Sequence, residues 1–253
     1  MSSIKNTQPA FSIVEDYSDF LVINKSPGIG FHDDGDIPGI CTIVQEALGY
    51  PVFSVHRLDK DTSGLLILPK SAEIAKVLTE EFAGRRVQKY YLALSGSKPA
   101  KKQGWVIGDM VKSRGGNWKL IREATNPAVS YFFCKGLVPG VRCFLLRLYS
   151  GKTHQARVAL KSLGAPILGD RRYGKAVASL PQGLRDLDEG HCPEKSEADR
   201  MYLHAYAVRF TCQGREYSIV LPPTQGALFG VEEMQPLLKA WSAPWELSWP
   251  SRR

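Results

Sequence analysis

The stretch that most constrains this chain is Val55-His56-Arg57-Leu58-Asp59-Lys60-Asp61-Thr62-Ser63-Gly64, followed at once by Leu65-Leu66-Ile67-Leu68. Apolar, strand-like residues flank the string on both sides, with Phe53 and Val55 before it. A plain hairpin needs only about two to five turn residues, commonly Asn, Asp or Gly. This insert instead holds a His, an Arg, two carboxylates and two hydroxyls. Reactive side chains on a loop held between buried strands are a common way to build an active site. A solvated turn with incidental charge is the simpler alternative, and the length of the string argues against it.

The rest of the chain is long enough to support such a site. Its 253 residues suffice for one large domain or two modest ones, and 43% hydrophobic residues exclude a disordered chain. Lys plus Arg exceed Asp plus Glu, 33 against 25, and the pI is about 9.2. An excess of this size suits a polyanion-binding protein without being diagnostic of one. Cys41, Cys134, Cys143, Cys192 and Cys212 are odd in number, widely spaced and free of any C-x-x-C pair. They argue against a disulfide framework and against a zinc ribbon. Met1 to Pro9 lacks the apolar core of a signal peptide, and no apolar run approaches a membrane span, so a cytoplasmic location is expected.

Taken in order, residues 1–10 read as a disordered lead. Phe11 to Val14 and Phe20 to Ile23 read as strands, with the turn Asn24-Lys25-Ser26-Pro27-Gly28 after them. His32, Asp33, Asp34 and Asp36 sit close in sequence, but a proline-bounded Asp-rich segment is better read as a solvated loop than as a metal site. Helical spacing covers residues 39–48, closed by Gly49, and a second helix runs from the Ser71 cap to Gly84. Three cations, Arg85, Arg86 and Lys89, then precede the aromatic-rich strand Tyr90-Tyr91-Leu92-Ala93-Leu94, which suits a phosphate-tracking lip beside a base-stacking surface. Residues 97–127 carry scattered Lys and Arg among glycines and read as short strands and loops. Ala128–Leu137 and Val141–Ser150 read as a hairpin around Val138-Pro139-Gly140.

The second informative stretch is Ser150-Gly151-Lys152-Thr153-His154-Gln155-Ala156-Arg157. It leads into a helix whose apolar stripe is Ala156, Ala159, Leu160 and Leu163. A helical wheel puts Arg157 on the border of that stripe, with His154 and Lys161 further round on the same side. A border Arg can reach a partly buried carboxylate while its neighbours meet phosphate. Residues 175–200 read as a polar insertion, and Met201 to Phe210 as a strand with Tyr202, His204, Tyr206, Val208 and Phe210 on one face. Trp241, Trp245 and Trp249 lie four apart in a tail, residues 231–253, that Pro244 keeps from forming one helix.

The string His56-Arg57-Leu58-Asp59-x-x-Thr62-Ser63-Gly64 resembles the signature of the RluA-type pseudouridine synthases, which isomerise uridine in RNA. Further motifs follow in that family's order: the Lys25 turn, Lys89-x-Tyr91-x-Ala93, Gly151-Lys152-x-His154-Gln155-x-Arg157, then Gly169-Asp170-x-x-Tyr173-Gly174 and Leu203-His204-Ala205. Together they cover roughly residues 13–223. Lys152, Ala156 and Ala159 stand where an Arg, a branched aliphatic and often a His are usual, so RNA contacts are the point of departure.

The resemblance implies an α+β fold, a mixed and mainly antiparallel bent sheet with flanking helices and an RNA cleft across its middle. It implies one catalytic domain over residues 11–230 and no S4-type RNA-binding domain. Asp59 takes the part of the essential carboxylate, Arg57 displaces the target base from its stack, and Tyr91, not Tyr90, packs on the uracil. Arg157 is the expected partner that keeps Asp59 ionised. His56, Lys89, Lys152, His154, Gln155 and Lys161 are the remaining expected substrate or RNA contacts. RNA, ribosomal before transfer, is the expected partner of a monomeric enzyme that needs no metal and no cofactor. Two other classes stay open: a non-catalytic RNA-binding or chaperone protein, and a nucleoside hydrolase that recruits Asp61 as a second carboxylate.

Overall fold

The computed structural model describes residues 9–174 and 200–251. In chain order its elements begin with strands β1 (Phe11–Asp16) and β2 (Phe20–Lys25), helix α1 (Ile40–Leu48), β3 (Ser63–Pro69) and α2 (Ala72–Ala83). Then come β4 (Gln88–Ser95), β5 (Gln103–Gly108), β6 (Met110–Lys112), β7 (Trp118–Leu120), β8 (Ala128–Gly136) and β9 (Arg142–Leu148). Helix α3 (Gln155–Ser162), β10 (Leu203–Cys212), β11 (Arg215–Val220) and α4 (Met234–Ala240) complete the described set. One large sheet runs β1-β2-β3-β10-β4-β9-β8-β5, with β11 added to β10 and the β6–β7 hairpin standing apart. Among the described residues only the β3–β10 pairing is parallel, so the sheet is mixed and mainly antiparallel, as expected.

That parallel pairing is a seam. It spans only His204↔Ser63 and Ala205↔Gly64, which is the end of the reactive string. Gly64 has φ 110°, and a Cβ there would lie 2.4 Å from the Ala205 carbonyl oxygen, so only glycine lets the two strands meet. A hydrophobic core lies on each side of the seam. One gathers Phe20, Leu66, Ile74 and Phe210, the other Leu92, Phe144, Leu160 and Trp241. Between Ala205 and Ala207 the register of β10 shifts. Tyr202 and Tyr206 therefore pack into the second core, while Val208 and Phe210 pack into the first. The single face expected for this strand is thus split, because a bulge turns the side chains that follow it.

Three buried cation or imidazole anchors hold the string in place. Lys25 is fully buried, and its Nζ donates to the carbonyls of Ser26, Ile29 and Lys60 at 2.8, 3.0 and 2.9 Å. Burial pushes its pKa down to about 7, opposed by the carboxylates of Asp61 and Asp59. His56 Nε2 accepts the Ile67 N–H at 2.9 Å, and its ring stacks on Phe82. His204 faces Ser63 Oγ through Nδ1 at 2.8 Å and the Leu221 carbonyl through Nε2 at 2.9 Å.

Local expectations held unevenly. Ser71 Oγ caps α2 by accepting the Ile74 N–H, but Gly84 keeps right-handed angles and Arg85 takes the left-handed position at φ 58°. Pro9 and Ala10, expected in a disordered lead, are tied down because their carbonyls accept the Ser26 hydroxyl and N–H. Trp241 is buried, and Trp249 packs against Tyr90, Tyr131 and Phe133. The expected insertion, with His191 and Cys192, lies mostly outside the described residues. Among the described residues no helix is long and apolar enough to cross a membrane.

The two histidine anchors predict an acid limb in stability. Burial pushes His56 and His204 down to about 3, with Lys89 adding to the first. The unfolded chain takes up these protons near pH 6.5, so between about 6.5 and 3 it binds more protons than the fold, and stability falls as pH drops. Each group contributes up to about 1.4 kcal/mol per pH unit. Denaturant unfolding of His204→Gln between pH 7 and 4 should show a pH slope shallower by about one proton. An unchanged slope would mean that His204 is already charged in the fold.

Candidate active site

The string, the end of α2, β4 and the turn into α3 enclose a cavity of about 450 Å³ on the seam. Among the described residues Asp59 is the one carboxylate that lines it, beside Arg57, Arg85, Lys89, Lys152 and Arg157. The Thr62 N–H donates to the Asp59 carbonyl at 3.0 Å, a turn that presents the Asp59 side chain. Arg157 Nη1 donates to Asp59 Oδ2 at 3.1 Å, across 98 residues of sequence. The pair read from the two motifs therefore meets in space.

Arg157 has a second partner that the sequence reading missed. Its Nε and Nη2 donate to Asp170 Oδ2 and Oδ1, both at 2.8 Å, a bidentate fork on a fully buried carboxylate. Asp170 Oδ1 also accepts the backbone N–H groups of Arg172 and Tyr173. Burial alone would raise the Asp170 carboxyl, but Arg157 and the two N–H groups outweigh it and hold it below the usual range. Burial likewise works against the charge on Arg157, and the two carboxylates more than restore it. The guanidinium lies 4.9 Å from the Tyr173 ring. Arg157 is only 6% exposed, and residues 155–160 are buried on every side. The border position expected from the helical wheel is thus corrected: α3 enters the molecule too deeply to keep a wet face there.

The other expected residues divide by what already occupies their polar atoms. Gln155 is a correction: it is 3% exposed, accepts from Ser150 Oγ and the Lys152 N–H, and donates to Ser130 Oγ and the Val129 carbonyl. It braces the turn and has no atom left for RNA. His56 lines the cavity, yet its Nε2 is committed to Ile67, so its role is to fix the string. Lys161 lies outside the cavity lining, exposed, with its ammonium over the Tyr173 ring. Arg57 stands exposed at the mouth, Nη1 3.4 Å from His32 Nε2. Lys152 lines the wall.

Lys89 donates weakly to the Ser150 carbonyl at 3.3 Å, and burial together with Arg85 pushes it down to about 8. Tyr91 lines the cavity and Tyr90 does not; Tyr90 is buried, with its hydroxyl on Gln88. Burial and then Asp59 raise the Tyr91 phenol, so it stays protonated and is a poor base. His154 lies with Nε2 4.0 Å from Asp59 Oδ1 and Nδ1 2.7 Å from the Tyr173 hydroxyl. Thr62 is a further omission: it lines the cavity, and its hydroxyl is buried without a hydrogen-bond partner among the described residues. Asp170 had a visible signal in Gly169-Asp170-x-x-Tyr173-Gly174, but nothing local says that its partner is Arg157.

Asp170→Ala should strand a buried guanidinium and cost about 3–5 kcal/mol in denaturant unfolding. A loss below about 1 kcal/mol, the range of an exposed pair, would show that Arg157 does not depend on it.

With this geometry in hand, comparison with known proteins is specific. A family model described as RNA pseudouridylate synthase matches residues 19–162. A Haemophilus influenzae protein called an uncharacterized RNA pseudouridine synthase is 44% identical over 215 residues, covering 85% of this chain and 88% of that one. Ribosomal large subunit pseudouridine synthase C of Buchnera aphidicola is 32% identical, over 80% of this chain and 64% of its own. Among solved structures, human RNA pseudouridylate synthase domain containing 4 superimposes with a TM-score of 0.70 at 24% identity, covering 88% of this chain and 92% of that one. This last likeness concerns the fold.

Proposed function

Because the chain belongs to the RNA pseudouridylate synthase family, isomerases that act on RNA, we propose that Asp59 is its catalytic carboxylate and a uridine of ribosomal RNA its substrate. The observation that carries the assignment is the Asp59 carboxylate, held by Arg157 and, among the described residues, alone on a cavity wall rich in cations. The reaction breaks the N1–C1′ bond, turns the base and joins C5 to C1′; C5 loses a proton and N1 gains one, so mass is unchanged. An ionised carboxylate serves this at the sugar, by attack at C1′, by stabilising positive charge there or by removing a sugar proton. Arg157 occupies one oxygen of Asp59 and leaves the other facing the cavity.

Tyr91, kept as a phenol, packs its ring on the uracil. The target base leaves its stack to enter the cavity, and Arg57 at the mouth fills the gap. Lys89, Lys152 and Arg85 meet backbone phosphates, and Lys161 extends that track outside the cavity. A glycoside hydrolase would need a second carboxylate across the sugar. Asp61 is exposed and absent from the cavity lining, which disfavours that reading. The choice of ribosomal RNA rests on the name of the Buchnera relative.

Pseudouridine mapping of cellular RNA with and without the gene should show one or a few uridines lost from ribosomal RNA in the deletion strain. Loss confined to transfer RNA would move the substrate, and no loss at all would remove the activity. Asp59→Asn, supplied in place of wild type, should fold and bind RNA yet restore none of the sites; turnover within tenfold of wild type would sink the role given to Asp59.

RNA affinity should fall steeply between 50 and 200 mM salt, since phosphate contacts release counterions, by about an order of magnitude or more. A flat affinity over that range would rule out a phosphate-dominated interface.

A further inference from the structure

His154 is placed with more care than a general RNA contact needs. It is the N-cap of α3 and has φ 58° and ψ 21°, a left-handed conformation unfavourable for a residue with a Cβ. Its ring is fixed from behind by Tyr173. The Tyr173 oxygen accepts the Trp118 N–H at 3.0 Å and lies 2.7 Å from His154 Nδ1. If Nδ1 carried the imidazole proton, the phenol proton would lack an acceptor among the described residues, and the Nε2 lone pair would face the Asp59 carboxylate. The consistent arrangement has Tyr173 donating to Nδ1 and Nε2–H pointing at Asp59 Oδ1. Burial, Arg157 and Arg172 favour the neutral ring, against Asp59 and Asp170.

The separation is the telling quantity. Nε2 and Oδ1 are 4.0 Å apart, too far for a hydrogen bond, and both side chains open to the cavity with 16% and 17% exposure. One oxygen about 2.8 Å from each would subtend an angle of about 90°, within reach of a hydroxyl that donates to the carboxylate and accepts from the imidazole. Water could also fit such a gap, but the substrate offers one group that must come close. In an internal RNA nucleotide the 3′ and 5′ oxygens are esterified, so the only free ribose hydroxyl is at C2′, next to the C1′ that Asp59 has to reach.

We propose that His154 Nε2–H and Asp59 Oδ1 together bind the 2′-hydroxyl of the target nucleotide, which makes His154 a specificity residue for ribose over deoxyribose. The inference rests on the synthase reading and on Asp59 acting at the sugar. It assigns a ligand to the oxygen of Asp59 that Arg157 leaves open. Discrimination at the sugar would thus come from the same carboxylate that does the chemistry, and Tyr173 would set it by fixing the tautomer.

The test uses a synthetic RNA stem-loop built on a uridine mapped in the deletion strain, made with uridine or with 2′-deoxyuridine at that one position. KM is measured for the ribo form, and the deoxy form is tested as a competitive inhibitor, so that no turnover of it is needed. In wild type, Ki of the deoxy RNA should exceed KM of the ribo RNA more than about tenfold, since the lost hydroxyl makes one hydrogen bond to a charged carboxylate and one to the imidazole. His154→Asn suits the left-handed backbone but is too short to reach, and should lower that ratio about threefold or more while the bond to Asp59 remains. His154→Gln, whose amide can reach, should fall between. Thermal melting of each variant separates this effect from a loss of fold, and if the Asn variant does not fold the Gln variant decides. A ratio near one in wild type, or the same ratio in wild type and variants, overturns the assignment. Absence of pseudouridine in the ribo RNA with wild type would overturn the synthase reading itself, a different result from an unchanged ratio.

Discussion

The Arg157 guanidinium is the interaction on which the rest of the site depends. It is a buried cation between two carboxylates, one deep and one facing the cavity. A lone buried charge is expensive to desolvate, and a single ion pair often fails to recover that cost. Here the deep half of the arrangement is fully hydrogen-bonded, because Asp170 takes the fork and two backbone N–H groups. Arg157 is therefore positioned whether or not Asp59 is present. Asp59 receives only Nη1, and so keeps an open oxygen and some solvent contact. A lysine could supply the charge but not three donors in fixed directions, so it could not serve both carboxylates at once.

What brings the two halves of that triad together is the seam in the sheet. Asp59 belongs to the string that ends on β3, and Arg157 and Asp170 belong to the opposite side, packed on the second core. The two sides touch through β10, and the parallel contact at Gly64 and Ala205 is too close for any residue with a Cβ at position 64. Ser63 and His204 lock the same point through side chains, and Lys25 ties the middle of the string to the first hairpin. The buried lysine and the neutral histidines are thus part of how the carboxylate is aimed, though none of them reaches the cavity centre.

Features set by neighbouring residues were legible in the sequence. The Ser71 cap, the Gly49 stop of α1, the β8–β9 hairpin and the strands β1 and β2 follow from local patterns, and the structure has them. The reactive string was legible because so many polar groups between two apolar runs have few other uses. Features set by contacts across the seam were not. The periodicity of α3 says nothing about how deep the helix sits, so Arg157 was put on a border and Gln155 among the RNA contacts. The bulge in β10 depends on its two different neighbours, and an alternating sequence does not announce it. At the end of α2 the glycine that should have taken the left-handed angle precedes the residue that does, because Arg85 is turned toward the cavity.

These misfits gather in one place. Arg85 and His154 are two of the three non-glycine residues with positive φ among those described, and both line the cavity. Lys89 sits there with its charge disfavoured by burial and by Arg85, and the Thr62 hydroxyl is buried there without a partner. Away from the cavity, propensity and burial agree over most of the described chain, with Gln213 at positive φ and the unpartnered Asn117 Oδ1 and Gln225 Oε1 as exceptions, and the chain gains stability from that agreement. Inside it, like charges face each other, backbone angles are unfavourable and a polar group is unsatisfied. Each of these costs folding free energy in the RNA-free protein. The charge repulsion and the unsatisfied hydroxyl are terms that an anionic or hydrogen-bonding ligand can relieve, so a ligand that fills the cavity would recover that free energy as affinity.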